Sequence, residues 1–275
     1  MAIICISHEM GAGGPEIGMA VAQRLGYRYV DQELISEAAR RYGLLEEKLA
    51  QLDETKPSLF ERFDAETRRY ITAIQTALYE FAEGDNVVLM GRGGQWLLRG
   101  IAHVLRLRVI APVELRIDRL VKKMSEQVGQ GVHPRTVTEM VRRDDAERSA
   151  RMRYLFEVDL ASPALYDLVI NTVQLSFEAV VEMISSMVGR PEFVSRETGK
   201  QAVADRALAS KVHVALAANS QTRRYRISVE ARQGVVTLEG TSVLDAAVEV
   251  ARGVQGVEDV KAQQVEVPPI PPFVA

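Results

Sequence analysis

The sequence has 275 residues, which fits either one large domain or two domains of unequal size. Its 47% hydrophobic and 26% charged residues are typical of a globular protein, and no apolar run approaches the roughly 20 residues of a membrane helix. The net charge of -3 gives no reason to expect nucleic-acid binding, and the single cysteine, Cys5, excludes an internal disulfide and a multi-cysteine metal site. The N-terminus lacks a basic segment, so we expect no secretory signal and a cytoplasmic location.

Short apolar runs alternate with longer helix-like stretches through the first two thirds of the chain. Runs without polar alternation are typical of strands in a parallel sheet that is covered on both faces. The predicted strands are Ile3–Ile6, Tyr27–Val30, Val87–Met90, Val104–Ala111 and Leu168–Ile170. The predicted helices include Pro15–Leu25, which has apolar residues at four-residue spacing, and Asp64–Phe81, which contains no glycine or proline. This part of the chain is therefore predicted to be a doubly wound α/β domain.

A polar stretch that follows Gly189 and includes Pro191 predicts a linker at 191–200. Beyond it, the pattern changes to short alternating strands between two helices. The predicted elements are a helix over Val203–Leu216, strands over Tyr225–Val229 and Val235–Leu238, a helix over Val243–Val254 and a strand over Val260–Val267. A second, small α+β domain is thus predicted at 201–268, followed by a proline-rich extended tail at 269–275.

The segment from Ile6 to Gly18 leaves the first strand and enters the first helix. Gly11, Gly13 and Gly14 allow backbone N–H groups to turn inward, and the helix N-terminus adds the positive end of its dipole. This loop is suited to bind an anion such as a phosphate. Glycine-rich turns of this kind also arise from tight packing alone, and the spacing does not separate the two interpretations.

Several segments together resemble the cytidylate kinase-like family, a branch of the P-loop nucleoside monophosphate kinases. They are Ile6–Gly18, Leu25–Asp31, Gly91–Gly93 and Arg143–Arg151, in that order. The resemblance covers residues 1–190 and implies a core sheet with a helical lid. It also implies an enzyme that phosphorylates CMP or dCMP with ATP, and Mg²⁺ carried by the nucleotide.

The same resemblance implies roles for individual residues. The donor phosphates would lie on Gly11, Ala12, Gly13, Gly14, Pro15 and Glu16. Catalytic arginines would be Arg92, at the carboxyl end of a central strand, and Arg143 in the lid. Ala150 stands at the position of the second lid arginine, which leaves Arg148 or Arg151 as its substitute. Asp31 and Glu147, with Arg92, would contact the acceptor nucleotide. The four histidines are scattered, so a metal bound by protein side chains alone is not expected.

The loop and its surroundings depart from the family pattern. An ordinary P-loop carries a lysine and a hydroxyl residue, and we place Gly14 and Glu16 at those positions. Met90 and Gly93 stand where cytidylate kinases usually have acidic residues. An alternative is therefore a weak or inactive nucleotide-binding protein that signals through its second domain.

The second domain resembles a BON domain through Ile227–Val229, Gly234–Gly240, Ala247–Ala251 and Gly253–Val260. The resemblance implies a small interaction module, often thought to engage lipid or polymer surfaces, whose partner is unknown. Arg223, Arg224 and Arg226 have two interpretations, a basic patch or a solvated face, and three charges on one segment more often form a solvated face. A third hypothesis is that this module only localises or oligomerises the kinase-like domain; a homo-oligomer is left open.

Overall fold

The computed structural model describes residues 2–54 and 65–265. Its larger sheet has five parallel strands in the order β2-β3-β1-β4-β5. The strands are β1 (Ile3–His8), β2 (Arg28–Val30), β3 (Val87–Met90), β4 (Val104–Ile110) and β5 (Leu168–Asn171). Strands β3 and β2 lie on one side of β1 and strands β4 and β5 on the other, with helices on both faces of the sheet, which confirms the predicted doubly wound sheet.

Within the described residues, eight α-helices connect or cover these strands. They are α1 (Gly14–Leu25), α2 (Glu33–Tyr42), α3 (Glu46–Glu54), α4 (Ala65–Glu83), α5 (Gly94–Leu97), α6 (Val113–Val128), α7 (Pro134–Phe156) and α8 (Phe177–Val188). Successive β1 residues point to opposite faces: Ile3 and Cys5 join the core under α2 and α4, and Ile4 and Ile6 join the core under α1 and α8. Burial raises the pKa of the Cys5 thiol to about 12, so Cys5 behaves as a small apolar residue.

The smaller sheet lies in the C-terminal part of the chain and has the order β6-β7-β8. Its strands are β6 (Ser228–Arg232), β7 (Val235–Gly240) and β8 (Asp259–Gln264); β6 pairs antiparallel and β8 parallel with β7. Helices α9 (Glu197–Ala218) and α10 (Leu244–Arg252) pack against it. The small α+β unit is therefore present as predicted, although β6 starts at Ser228 rather than Tyr225 and β8 ends at Gln264. The predicted tail at 269–275 lies outside the described residues.

Helix α9 belongs to both hydrophobic cores. Val203 is buried in the core that contains α4, and Leu208, Val212 and Leu216 are buried in the core of the smaller sheet. Thr76 of α4 and Ser210 of α9 share a buried hydrogen bond of 2.6 Å between their hydroxyl oxygens. The predicted linker at 191–200 contains a one-turn 3-10 helix, Pro191–Phe193, and the first residues of α9. The domain boundaries themselves remain a prediction.

None of the helices described is both long enough and apolar enough to cross a bilayer.

Candidate active site

A cavity of about 870 Å³ opens at the carboxyl ends of β1 and β3, beneath helix α7. This is the position at which open α/β sheets bind their ligands. The cavity brings together most of the residues predicted for the site from separate parts of the sequence. Those that line it are Gly11, Gly13, Pro15, Glu16, Asp31, Arg92, Arg143, Glu147, Arg148 and Arg151.

The loop between β1 and α1 presents backbone amides to this cavity. Gly11 and Gly13 have φ angles of 82° and 95°, a left-handed conformation that glycine adopts without a steric penalty. Within the described residues, the amides of Gly11, Gly13 and Gly14 make no hydrogen bond. Unpaired amides at a helix N-terminus form a cradle for an anion.

Two residues predicted for the cradle do not line the cavity. Ala12 is buried, and its carbonyl oxygen accepts a hydrogen bond of 2.9 Å from the Thr172 hydroxyl. Gly14 lies against the His8 ring, where an added Cβ would stand 2.3 Å from the ring. Close packing therefore contributes to the glycine pattern at Gly14, and only its backbone amide remains available to a ligand.

His8 is held neutral beneath the loop. Burial, followed by the positive charge of Arg148, lowers the pKa of His8 from 6.5 to about 4. Its Nδ1 lies 3.3 Å from the Glu9 carbonyl oxygen. Because its imidazole carries no charge at neutral pH, His8 does not replace the missing lysine of the loop.

This pKa shift predicts a specific pH dependence of stability. The folded pKa of about 4 lies below the 6.5 of the unfolded chain, so the unfolded state binds the proton more readily. The contribution of neutral His8 is complete above pH 6.5 and is lost as the pH falls towards 4, by roughly 1.4 kcal/mol per pH unit. Urea unfolding measured across this pH range should show that the free energy of unfolding falls less steeply with decreasing pH in His8→Gln than in the wild type. Parallel curves would contradict the shift.

A buried polar network supports the loop from behind. The Glu9 carboxylate accepts a hydrogen bond of 3.2 Å from the Ala111 amide and lies 3.5 Å from both Arg108 and Arg116. Arg116 pairs in turn with Asp145 of α7 at 2.8 Å and donates to the Met10 carbonyl oxygen at 3.2 Å. Sequence reasoning missed this network. Arg108, a charged residue inside the apolar β4 run, was the available signal.

On the acceptor side, Arg92 points towards β2. Its guanidinium Nη1 lies 2.9 Å from Asp31 Oδ1 and donates to the Met90 carbonyl oxygen at 3.2 Å. The Tyr29 hydroxyl donates to Asp31 Oδ2 at 3.3 Å. Asp31 is thus brought to the arginine from the neighbouring strand and provides a carboxylate beside it, although Met90 and Gly93 are not acidic.

The lid arginines are paired with acidic residues of the same helix. Arg143 lies 2.8 Å from Glu147, and Arg148 lies 2.8 Å from Asp144. Arg151 also lines the cavity. Since these pairs are one helical turn apart and partly exposed, they add little to stability and can exchange for phosphate contacts.

Two cations near the loop were not found from the sequence. The ammonium group of Lys123, on α6, lies 2.7 Å from the Glu16 carboxylate. Arg119, also on α6, donates a hydrogen bond of 2.8 Å to the Thr172 hydroxyl. The guanidinium carbon of Arg119 lies 5.4 Å from the centre of the Phe177 ring. The Phe177 ring packs on Gly13.

The position of the hydroxyl residue in the loop needs a correction. In an ordinary P-loop the hydroxyl residue follows the lysine directly, so Pro15 occupies that position and our assignment of Glu16 to it is wrong.

The charges around the cavity bear on the binding of a metal ion. Each carboxylate that lines it, Glu16, Asp31, Asp144 or Glu147, is paired with a lysine or arginine. In the part of the chain that the structure describes, no three His, Cys, Asp or Glu residues form a cluster that could hold a metal. The donor set therefore fits a metal ion whose ligands come mainly from nucleotide phosphates.

Comparison with known proteins places these features in a family. The model of the cytidylate kinase-like family matches residues 3–174, and that of the BON domain matches residues 204–269. Cytidylate kinases of Staphylothermus marinus and Methanocaldococcus jannaschii are each 29% identical over 189 residues, which cover 68% of this chain and 97% of the relative. A crystal structure of an uncharacterized protein from Eubacterium ventriosum has a TM-score of 0.53 at 16% identity, covers 69% of this chain and 100% of its own, and supports the fold.

Proposed function

Because this chain belongs to the cytidylate kinase-like family, we propose that it transfers the γ-phosphoryl group of ATP to a nucleoside monophosphate, with CMP or dCMP as the acceptor. The observation that carries the proposal is that Gly11 and Gly13, whose amides make no hydrogen bond among the described residues, line the same cavity as Arg92. A phosphate donor and a phosphate acceptor must meet in one site for transfer to occur.

In this reaction an oxygen of the acceptor phosphate attacks the γ-phosphorus, and the bond to the bridging oxygen of ADP breaks. The amides of Gly11, Gly13 and Gly14 would bind the donor phosphates, and Arg92 would hold the acceptor phosphate with two parallel hydrogen bonds. Arg143, Arg148 and Arg151 would offset the charge that develops during transfer and exclude water from it. Mg²⁺ bound to the nucleotide would supply further neutralisation of the phosphate charge.

Lys123 is a candidate to replace the lysine that is missing from the loop. Lys123 reaches the start of α1 from the neighbouring helix, where its ammonium group contacts Glu16 at the edge of the cavity. We propose that Lys123 turns to the donor phosphates when ATP binds. A mobile lysine side chain can make this change because its exposed pair with Glu16 is weak.

This role can be tested by replacing Lys123. Lys123→Met should raise the KM for ATP by about tenfold, since a charge-assisted contact with phosphate is lost. The neighbouring Lys122 does not line the cavity, so Lys122→Met is the matched control and should behave as wild type. Equal effects of the two substitutions, or no effect of either, would remove Lys123 from the donor site.

The activity itself is tested by ADP release in the presence of ATP, Mg²⁺ and each nucleoside monophosphate in turn. We expect turnover to be fastest with CMP or dCMP. Turnover with a different acceptor would correct the specificity. ATP or CMP binding by calorimetry without turnover would instead favour the second candidate, a nucleotide-binding regulatory protein, for which the absence of a lysine in the loop is the supporting observation.

A further inference from the structure

A second pocket, of about 500 Å³, lies where the N-terminal part of α4 meets the end of α9 and the start of β6. We call it the junction pocket. Its lining residues include Arg68, Leu216, Arg223, Tyr225, Arg226 and Ile227. It is separate from the cavity at the ends of β1 and β3 and shares no lining residue with it.

The junction pocket combines an apolar floor with cationic walls. Leu216 and Ile227 are 4% and 6% exposed, and the Tyr225 ring stands at the entrance with 45% exposure. In the described ranges, 2–54 and 65–265, no carboxylate pairs with Arg68, Arg223 or Arg226. Arginines that surround an apolar pocket without acidic partners leave their N–H groups available to an anionic ligand.

The other ionisable groups facing this pocket do not cancel its charge. Glu239 is the one acidic side chain among the described lining residues, against three guanidinium groups. Burial lowers the pKa of His213, so this residue is neutral at pH 7. The pocket therefore keeps an excess of positive charge although the whole chain has a net charge of -3.

Arg223 and Arg226 lie on a segment that is held by hydrogen bonds of its backbone. The Thr222 hydroxyl donates to the Leu216 carbonyl oxygen at 2.6 Å, and the Arg223 and Tyr225 amides donate to the Asn219 and Thr222 carbonyl oxygens at 2.9 Å. Arg68, from α4, donates to the Arg223 carbonyl oxygen at 3.2 Å. The two parts of the chain thus form this pocket together. A preformed site loses less entropy when a ligand binds.

We propose that the junction pocket binds the phosphate group of a small molecule that has an apolar or planar body, as a nucleotide has. Three guanidinium groups offer more donors than the two oxygens of a carboxylate accept, whereas a terminal phosphate has three acceptor oxygens. The apolar floor and Tyr225 would contact the body of the ligand. A soluble nucleotide and phosphatidic acid, an anionic lipid whose headgroup is a terminal phosphate, share this chemistry.

The first test is calorimetric titration of the full chain with ADP. We expect a binding event that the double variant Arg68→Gln/Arg226→Gln weakens by roughly tenfold or more, because two charge-assisted contacts are lost. Arg224→Gln is the matched control, since Arg224 is exposed in the same segment but does not line the pocket. Identical ADP isotherms for wild type and the double variant would overturn a soluble nucleotide as the ligand.

A second arm distinguishes the source of the phosphate. Vesicles of equal parts phosphatidic acid and phosphatidylcholine are sedimented with the wild type and with each variant. Binding that the double variant loses and Arg224→Gln retains assigns the site to lipid headgroups. Insensitivity of both ADP and vesicle binding to the double variant overturns the proposal.

Amide hydrogen exchange gives a measurement that needs no variant. Saturating ADP, or the vesicles if they are the ligand, should slow exchange in residues 219–228 of the wild-type chain. Protection confined to the segments around the first cavity would contradict a second site, whether or not that cavity supports phosphoryl transfer.

Discussion

Replacement of Arg92 by glutamine is expected to lower kcat/KM for the acceptor nucleotide by about a hundredfold, because the acceptor phosphate loses a charged, two-pronged contact. Arg92 has a φ of 53°, in the left-handed region, and lies two residues beyond the end of β3, where it lines the cavity. A positive φ disfavours glutamine as it does arginine, so the substitution changes the side chain without a new backbone cost. Steady-state kinetics with varied acceptor at saturating ATP measures the effect.

The control for this substitution is Arg99→Gln. Arg99 follows helix α5, and its guanidinium carbon lies 3.8 Å from the centre of the Trp96 ring. It does not line the cavity. Its variant should keep the wild-type kcat/KM. The kcat/KM of Arg92→Lys should lie between those of the wild type and Arg92→Gln, since lysine keeps the positive charge but cannot donate two parallel hydrogen bonds to the phosphate. Unchanged turnover in Arg92→Gln would withdraw Arg92 from the acceptor site.

Ending the chain at Arg190 is expected to destabilise the kinase-like part by about 5 kcal/mol or more, comparable with the whole stability of many domains. The truncation removes α9, and with it the fully buried Val203 from the core around α4. It also leaves the buried Thr76 hydroxyl without Ser210. The Leu97 and Arg99 carbonyl oxygens lose the two hydrogen bonds, of 2.6 and 2.7 Å, that Arg206 donates to them.

The matched control keeps α9 and removes only the residues beyond its C-terminus. This chain ends at Ala218 and has Leu208, Val212 and Leu216 replaced by glutamine, because those side chains face the core of the smaller sheet. Urea unfolding should give this chain a clearly larger free energy of unfolding than the chain that ends at Arg190. If the chain ending at Arg190 is as stable as the full chain, α9 contributes nothing to the first core. A functional assay of the kinase-like part alone should therefore use a chain that keeps α9.

Much of the fold follows from local patterns. The apolar runs around Ile3–Ile6 and Val87–Met90 gave the central strands nearly at their observed bounds, because a strand buried on both faces needs an uninterrupted apolar sequence. Helix α9 was predicted shorter than it is, with a linker in front of it. Its first residues are polar in sequence, and contacts with distant parts of the chain, such as the packing of Gly199 against His103, hold them in the fold.

For the candidate site, the glycines of the β1–α1 loop, Arg92 and the lid arginines were found because each is part of a short motif. Glu9, Arg116, Arg119 and Lys123 were missed. In sequence these residues look like ordinary surface charges on a helix or a loop. Only their contacts show that they support the loop or reach its ligand side.

The sequence alone determined the elements, the order of the two modules and the loop that can cradle an anion, since these depend on residues close together in the chain. The tertiary structure decided which cations stand beside that loop, that Asp31 faces Arg92, and that one helix completes two cores. It also brought Arg68 to the segment of Arg223 and Arg226. Each of these arrangements joins residues far apart in sequence, and their positions follow from how the sheets and helices pack.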